Sequence, residues 1–214
     1  GFTAKWLAPR LYRFSSARPE VEVRVASSTR NADFHSDGVD LAIRNLPIGH
    51  SPGPDLTVDF LVEINLLPVC APSLVERIGP FETPADLARA PLIQDETFVQ
   101  RANLPRWADW FAAAGAPEAA HAHALTFSNA DHALDAAAQG AGVLLAHDIL
   151  AKDDLKSGRL VAPFPLSLPT GRGYCLIYPV QAAERANVEA FRSWALAEVA
   201  AMDDCGVETA RAAV

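Results

Sequence analysis

The chain has 214 residues, half of them hydrophobic and 21% charged, and its 18 basic and 26 acidic side chains give a formal net charge of −8. This much apolar surface offsets the entropy cost of folding, so the composition excludes a disordered chain and predicts one large domain or two small lobes. The acidic balance opposes binding to a phosphate backbone, and no run of Lys or Arg offsets it locally. We therefore do not expect this segment alone to bind DNA.

The N-terminal quarter of the chain has the pattern of a layered α/β sheet. Apolar residues at helical spacing predict a first helix from about Thr3 to Ser16. Valines alternate with polar residues from Val21 to Val25, which predicts a strand buried on one face. A tight turn at Gly38 leads into a buried strand that ends near Arg44, and the Pro- and Gly-rich residues 45–54 form a surface loop.

The rest of the chain alternates strands and helices. Two linkers, near Leu67–Pro72 and Pro163–Gly173, are predicted to join two α/β units. The predicted strands are Val58–Val69, Pro91–Gln94, Ala122–Phe127, Val143–Ala146, Arg159–Ala162 and Tyr174–Tyr178, and the predicted helices are Pro72–Ile78, one after Thr83, Leu104–Ala114, Asn129–Gln139, Ile149–Lys156 and Ala183–Met202.

The sequence carries no motif of an enzyme or of a nucleotide-binding loop. His121 and His123 would place two imidazoles on one strand face. A metal site needs three or four ligands, however, and no nearby cluster of Cys or carboxylate residues completes one. We therefore predict a protein that is not an enzyme and that holds neither a metal nor a cofactor.

The apolar segments are too short for a membrane protein. The longest, Phe60 to Ala71, is interrupted by Glu63, Asn65 and Pro68 and is far shorter than a membrane span. The N-terminus lacks a basic and then apolar export signal. These observations predict a cytoplasmic protein that makes no membrane contact.

Three groups of residues stand where α/β proteins bind ligands. Such ligands lie beyond the carboxyl ends of strands, and helix N-termini favour anions through free backbone N–H groups. Ser128 and Asn129 are also ordinary helix caps, so a purely structural role stays open for them. The groups are Gly1, Phe2 and Thr3 at the start of helix one; Ser27, Ser28 and Thr29 after a strand; and Phe127, Ser128 and Asn129, where a strand enters a helix.

Four segments, in their order and spacing, resemble the effector-binding domain of LysR-type transcriptional regulators. The similarity runs from Gly1 to about Glu198 and is strongest to the branch that contains regulators of glycine cleavage and of inducible β-lactamase. The segments are Trp6–Leu11 (WLAPRL), Ser36–Arg44 (SDGVDLAIR), Leu67–Pro72 (LPVCAP) and Ala136–Val143 (AAAQGAGV).

The resemblance implies an α/β fold of the type 2 periplasmic-binding-protein kind, in which two Rossmann-like lobes are joined by two crossing strands and hold a small effector. Lobe I would comprise residues 1–69 and 174–214, and lobe II residues 70–173. The resemblance also implies an N-terminal winged helix-turn-helix that binds promoter DNA. That segment is absent from this chain, which starts at Gly1 as a fragment would. A homodimer through the effector domain and a tetramer of the full-length protein are implied too.

The resemblance also assigns effector-binding residues, here by their numbers in this sequence. Relatives commonly have Ser or Thr where Gly1 stands, so the effector is expected to differ from theirs. We expect a small carboxylate held by neutral donors, with Arg30 and Arg44 as competing charged candidates. The assigned residues are Phe2, Thr3, Ser27, Ser28, Thr29, the loop after Gln94, Phe127, Ser128, Asn129, His147 and Tyr174.

The leading interpretation is therefore an effector sensor that acts through a separate DNA-binding domain. A solute-binding protein of a transport system would share the fold and is the main alternative. A hydrolase or transferase on this fold is less favoured, because no nucleophile has a base at usable spacing. The coding sequence upstream of Gly1 would distinguish the first two.

Overall fold

The computed structural model describes residues 1–28, 30–97, 104–119 and 124–203, and it divides the chain into two compact units. Unit one comprises Gly1–Trp6 and Ile64–Thr170, and unit two comprises Leu7–Glu63 and residues 171–203. The expected lobe boundaries, 69/70 and 173/174, lie a few residues from these in the same two strands. Residues 1–6, which we expected in lobe I, belong instead to the unit that contains most of lobe II.

The elements of the chain are six strands and six helices in the described residues, with three short 3₁₀ turns. The first helix, α1, begins as a π-helix over Thr3–Leu7 and continues as a regular α-helix over Ala8–Ala17. The strands are β1 Ala42–Pro47, β2 Leu56–Val69, β3 Leu92–Asp95, β4 Leu125–Phe127, β5 Val143–His147 and β6 Leu168–Pro179, hydrogen-bonded in the order β1-β6-β2-β5-β3-β4. The other helices are α2 Pro72–Ile78, α3 Trp107–Ala113, α4 Ala130–Ala138, α5 Asp148–Lys156 and α6 Ala186–Asp203, and the 3₁₀ turns are Pro84–Arg89, Pro117–Ala119 and Val180–Ala182.

In unit one, strand β3 is parallel to both β4 and β5, and β5 is antiparallel to β2. The carboxyl ends of three parallel strands therefore meet at one edge of the sheet. On one face the sheet packs on an aromatic cluster of α3, in which Trp107, Trp110 and Phe111 are buried against Leu92. The indole N–H groups are satisfied, since Trp107 Nε1 donates to the Ile93 carbonyl at 3.0 Å.

Unit two is built around the antiparallel pair of β1 and β6, whose register runs from Ala42 opposite Ile177 to Pro47 opposite Arg172. The ring of Phe14 in α1 lies 5.3 Å from those of both Phe191 and Trp194 in α6. These rings form the apolar contact between the two helices.

Some predicted elements differ from those observed. The segment Val21 to Val25 belongs to no strand of the described residues, although Val21 and Val23 are half-buried beside exposed polar neighbours. Burial on one side explains why apolar and polar residues alternate here, but a strand also needs a neighbouring strand with which to form hydrogen bonds. The predicted strand Arg159–Ala162 is wrong for a similar reason: in that segment only Val161 forms a bridge, to Cys70.

Other predicted boundaries lie close to the observed ones. Helix α2 has the predicted bounds, Pro72–Ile78, and the segment after Thr83 is a 3₁₀ turn rather than an α-helix. The start of the predicted strand Ala122–Phe127 lies outside the described residues, and its last three residues form β4. Within the described ranges, no helix is both long enough and apolar enough to span a bilayer.

Candidate functional site

Three strands of unit one end at the same sheet edge, and two of them end with a residue that the sequence analysis names as a candidate for effector binding. Asp95 ends β3, Phe127 ends β4 and His147 ends β5. Strand β4 leads through Ser128 and Asn129 into α4, and β5 leads directly into α5. Both helix N-termini therefore open at this edge, which is where ligands bind in open α/β sheets.

The N-terminus of α4 is not closed by its cap residue. Asn129 has extended backbone angles (φ −139°, ψ 123°) but makes no side-chain capping hydrogen bond, and its carbonyl accepts the Ala133 N–H at 3.1 Å. Ser128 is exposed just before it. The first N–H groups of α4 are thus left without the cap that Asn129 normally supplies, as an anion site requires.

The start of the chain lies against the first residues of α4 and α5. A Cβ atom on Gly1 would lie 3.0 Å from Leu150 Cδ1 and 3.2 Å from Ala130 Cβ. Phe2 is buried and stacks on Trp6, with ring centroids 4.7 Å apart. A larger residue at position 1, such as the Ser or Thr expected in relatives, would require these neighbours to shift.

Two acidic side chains hold this first turn of α1 in place. Lys5 Nζ donates to Asp135 Oδ1 at 2.6 Å and lies 3.7 Å from Asp154 Oδ2. Thr3, the neighbouring candidate, is half-buried. The structure thus brings Phe2 and Thr3 into the same unit as Phe127, Ser128, Asn129 and His147.

His147 and Asp95 are titratable residues that end neighbouring strands at the sheet edge. His147 is buried, and this burial lowers its pKa to about 4, against the attraction of the Asp95 carboxylate, so the imidazole is neutral at pH 7. The Asp95 carboxylate accepts a hydrogen bond from the Thr97 N–H at 2.8 Å, and the Thr97 hydroxyl contacts the same oxygen, Oδ1. Glu96 N–H donates to the Phe127 carbonyl at 2.7 Å, which ties the loop after β3 to the end of β4.

The buried Asn65 and the half-buried Asp148 form a hydrogen-bonded pair that the sequence does not reveal. Asn65 donates to both carboxylate oxygens of Asp148, from its backbone N–H at 3.1 Å and from Nδ2 at 2.9 Å. Asp148 Oδ1 also accepts the Ile149 N–H at 2.7 Å, while burial raises the pKa of Asp148. In the sequence Asn65 is visible only as a polar interruption of an apolar strand. Its role depends on a residue 83 positions away.

The remaining candidates belong to unit two. Ser27 and Ser28 are exposed, and Ser28 Oγ accepts the Arg30 N–H at 3.1 Å. Tyr174 is buried in β6 opposite Asn45 of β1.

The two arginines proposed as competitors are already bonded. The Arg30 guanidinium contacts both carboxylate oxygens of Asp37, at 3.0 and 2.9 Å, and Arg44 donates to the Arg30 carbonyl at 2.8 Å. Thr29, His121, His123 and residues 98–103 of the loop after Gln94 lie outside the described residues. The described residues contain no cluster of three or more His, Cys, Asp or Glu that would hold a metal.

Comparison with known proteins identifies the fold and then the family. Residues 1–200 match the family model described as the LysR substrate binding domain. The structure superposes on the effector domain of the transcriptional regulator AmpR of Pseudomonas aeruginosa with a TM-score of 0.72 and 30% identity, covering 95% of this chain and 93% of that one. It superposes equally well on the AmpR effector-binding domain of Citrobacter freundii, at 24% identity and 94% coverage of each chain, a likeness that concerns the fold alone. These matches define an α/β fold of the type 2 periplasmic-binding-protein kind, as predicted.

The sequence relatives agree with this assignment. The chain is 36% identical over 200 residues to the glycine cleavage system transcriptional activator of Escherichia coli K12, covering 94% of the chain and 63% of that protein. It is 32% identical over 208 residues to the AmpR activator of Pseudomonas aeruginosa, covering 96% of the chain and 65% of that protein. The chain therefore belongs to the family of LysR substrate-binding domains. It spans less than two thirds of the length of these relatives.

Proposed function

We propose that this chain senses a small-molecule effector for a LysR-type transcriptional regulator, in which binding alters the action of a separate DNA-binding domain. The observation that carries this proposal is the family match over residues 1–200. The relatives are transcriptional activators, which favours a regulator over the solute-binding protein of a transport system and over an enzyme. In such a protein, promoter DNA is bound outside this chain.

The effector site that we propose lies at the sheet edge of unit one. The uncapped N-terminus of α4, with the exposed Ser128 before it, supplies neutral donors for a carboxylate. Phe2 and Phe127 supply apolar surface beside these donors. Each neutral hydrogen bond contributes only about 1 kcal/mol, so we expect readily reversible binding that reaches micromolar affinity only together with the apolar contacts. Participation of Ser27, Ser28, Thr29 and Tyr174 of unit two stays a prediction.

The same proposal includes the setting in which the domain works. We infer a cytoplasmic protein that forms a homodimer through the effector domain and a tetramer at full length. The expected contact joins α1 and the segment Val21 to Val25 of one copy to α4 of the next. Support comes from exposed apolar side chains on this surface, since Tyr12 is 63% and Val25 47% exposed.

A titration experiment tests the site. A broad panel of small metabolites, including carboxylates, is screened by thermal shift, and the compounds that stabilise the chain are titrated calorimetrically into the parent, Ser128→Ala and Arg30→Ala. We expect Ser128→Ala to weaken carboxylate binding several-fold and Arg30→Ala to leave it unchanged, because the Arg30 guanidinium is bound to Asp37.

The opposite result, normal binding by Ser128→Ala and loss of binding by Arg30→Ala, would contradict the neutral-donor site. If no compound of the panel binds the parent chain, the proposed sensing function itself is contradicted.

A further inference from the structure

Three buried acceptors of unit one, Asn65 Oδ1, Gln94 Oε1 and Asp131 Oδ1, receive no hydrogen bond from the described residues, and the first of them lies at the sheet edge. Asn65 is only 7% exposed, and its Nδ2 is committed to Asp148 Oδ2. Among the described residues, no group donates a hydrogen bond to Asn65 Oδ1, which is fully buried. A buried acceptor without a donor is unfavourable, so such an atom marks a place where an N–H or O–H group from a ligand would be stabilised.

A second acceptor projects from the same face of the sheet. The register pairs Ile93 with Leu144 and Val69 with Leu144, and paired residues point to one side. Asp95, two residues after Ile93, and Asn65, four residues before Val69, therefore share this side. Only β5 separates their strands, so the two backbones lie about 10 Å apart across the sheet, a gap that a small molecule would span.

Asp95 itself is only partly satisfied. Thr97 contacts its Oδ1 through both the N–H and the hydroxyl, and no described residue donates to Oδ2. Asp131 and Asp148, each in the first turn of its helix, add negative charge at this edge. The nearby cation of Lys5 is already paired with Asp135 and Asp154. The Gly1 ammonium, 3.9 Å from Asp131 Oδ1, also faces a carboxylate. A ligand that carried only a carboxylate would therefore meet more acidic than basic groups at this edge.

We propose that the effector carries a protonated amine, with Asp95 as its charge partner and Asn65 Oδ1 as the acceptor of a further N–H or O–H hydrogen bond. This inference rests on the effector site proposed above and names the chemistry of its ligand. If the N-terminus of α4 also binds a carboxylate, the effector is zwitterionic. Asn65 and Asp95 would then select it over an acid of the same shape that lacks the amine, because that acid leaves the Asn65 acceptor unpaired and faces the carboxylate of Asp95.

The test uses matched ligands. The standard amino acids are titrated into the chain beside their N-acetyl derivatives and the 2-hydroxy acids of the same side chains, within the broad metabolite panel. We expect one or more free amines to bind, and we expect N-acetylation or replacement of the amine by a hydroxyl to weaken that binding at least tenfold.

Variants assign the effect to residues. Asp95→Asn should weaken binding of the free amine about tenfold or more, whereas the exposed Glu118→Gln, which removes the same charge elsewhere, should leave it unchanged. Asn65→Leu should weaken it as well. Because this variant also loses the bonds to Asp148 and so risks unfolding, the Asp95→Asn comparison is decisive.

The outcomes separate the two proposals. If acids without an amine bind as tightly as the free amines and Asp95→Asn binds normally, the ammonium inference is overturned while the sensing function stands. If no compound of the whole panel binds, both are overturned.

Discussion

Removal of His147 should change how the stability of the protein depends on pH. The imidazole is buried, and its pKa is lowered to about 4 from an ordinary 6.5, chiefly by that burial. Below pH 6.5 the unfolded chain takes up a proton at this position, while the folded protein does not until about pH 4. Stability is therefore lost as the pH falls through this window, and the variant His147→Gln lacks that loss.

The size of the effect follows from the two pKa values. At pH 7 the imidazole is largely neutral in the unfolded chain as well, so its protonation lowers the free energy of unfolding by a few tenths of a kcal/mol at most. At pH 5 the unfolded imidazole is mostly protonated while the folded one is mostly neutral, and the difference amounts to about 2 kcal/mol. Asp148 works in the opposite direction, because its raised pKa favours the folded state as the pH falls. That contribution is common to parent and variant.

Urea unfolding at pH 7 and pH 5, followed by tryptophan fluorescence, measures this difference. The parent should lose about 2 kcal/mol more than His147→Gln between the two pH values. His132→Gln is the matched control, because His132 is exposed, and it should keep the pH dependence of the parent. An equal loss in the parent and in His147→Gln would refute the reasoning, whatever the stability of the variant at pH 7.

Two further predictions concern packing and assembly. A Cβ at Gly142 would lie 2.3 Å from the Pro91 carbonyl oxygen, so Gly142→Ala should lower the free energy of unfolding by about 3 kcal/mol. The control is Gly158→Ala, where a Cβ meets open space and only the positive φ of 75° causes strain, and it should lower the free energy of unfolding by about 1 kcal/mol. Equal losses in the two variants would contradict the steric argument. In sedimentation at high micromolar concentration the chain should dimerise, and Val25→Asp should weaken the dimer while Val180→Asp, at a similarly exposed valine, should not. A purely monomeric parent would count against the interface.

The sequence predicted best the elements that local signals define. Helix α2 begins with Pro72 and ends before Gly79, whose φ of 96° suits glycine, and both signals lie in the segment itself. Strand β6 extends back to Leu168, although Pro169 and Gly171 are typical of a linker. Its early residues are held by tertiary bonds, such as that from Thr170 Oγ1 to the Ile64 carbonyl at 2.6 Å.

In the candidate site, too, local signals in the sequence predict some residues, while others depend on contacts between distant segments. The passage from β4 through Ser128 into α4 and the start of helix one at Phe2 follow from local patterns, and the family resemblance added His147. Asn65 and Asp148 were missed as a pair because nothing within either segment indicates the other. The sequence predicts a small carboxylate effector from the neutral donors at helix N-termini. It does not reveal the acceptors Asn65 and Asp95, because only the strand register places them beside those donors.

The discontinuity of unit two has a consequence during synthesis. Strand β1 pairs with β6, and the contact of Asn45 with Arg172 closes a loop of 127 residues. At ordinary translation rates the ribosome needs on the order of ten seconds to produce that length. Most of unit one is contiguous and is complete before β6 emerges. We therefore expect β1 to stay unpaired while the middle of the chain folds, which makes that strand a natural contact for chaperones in the cell.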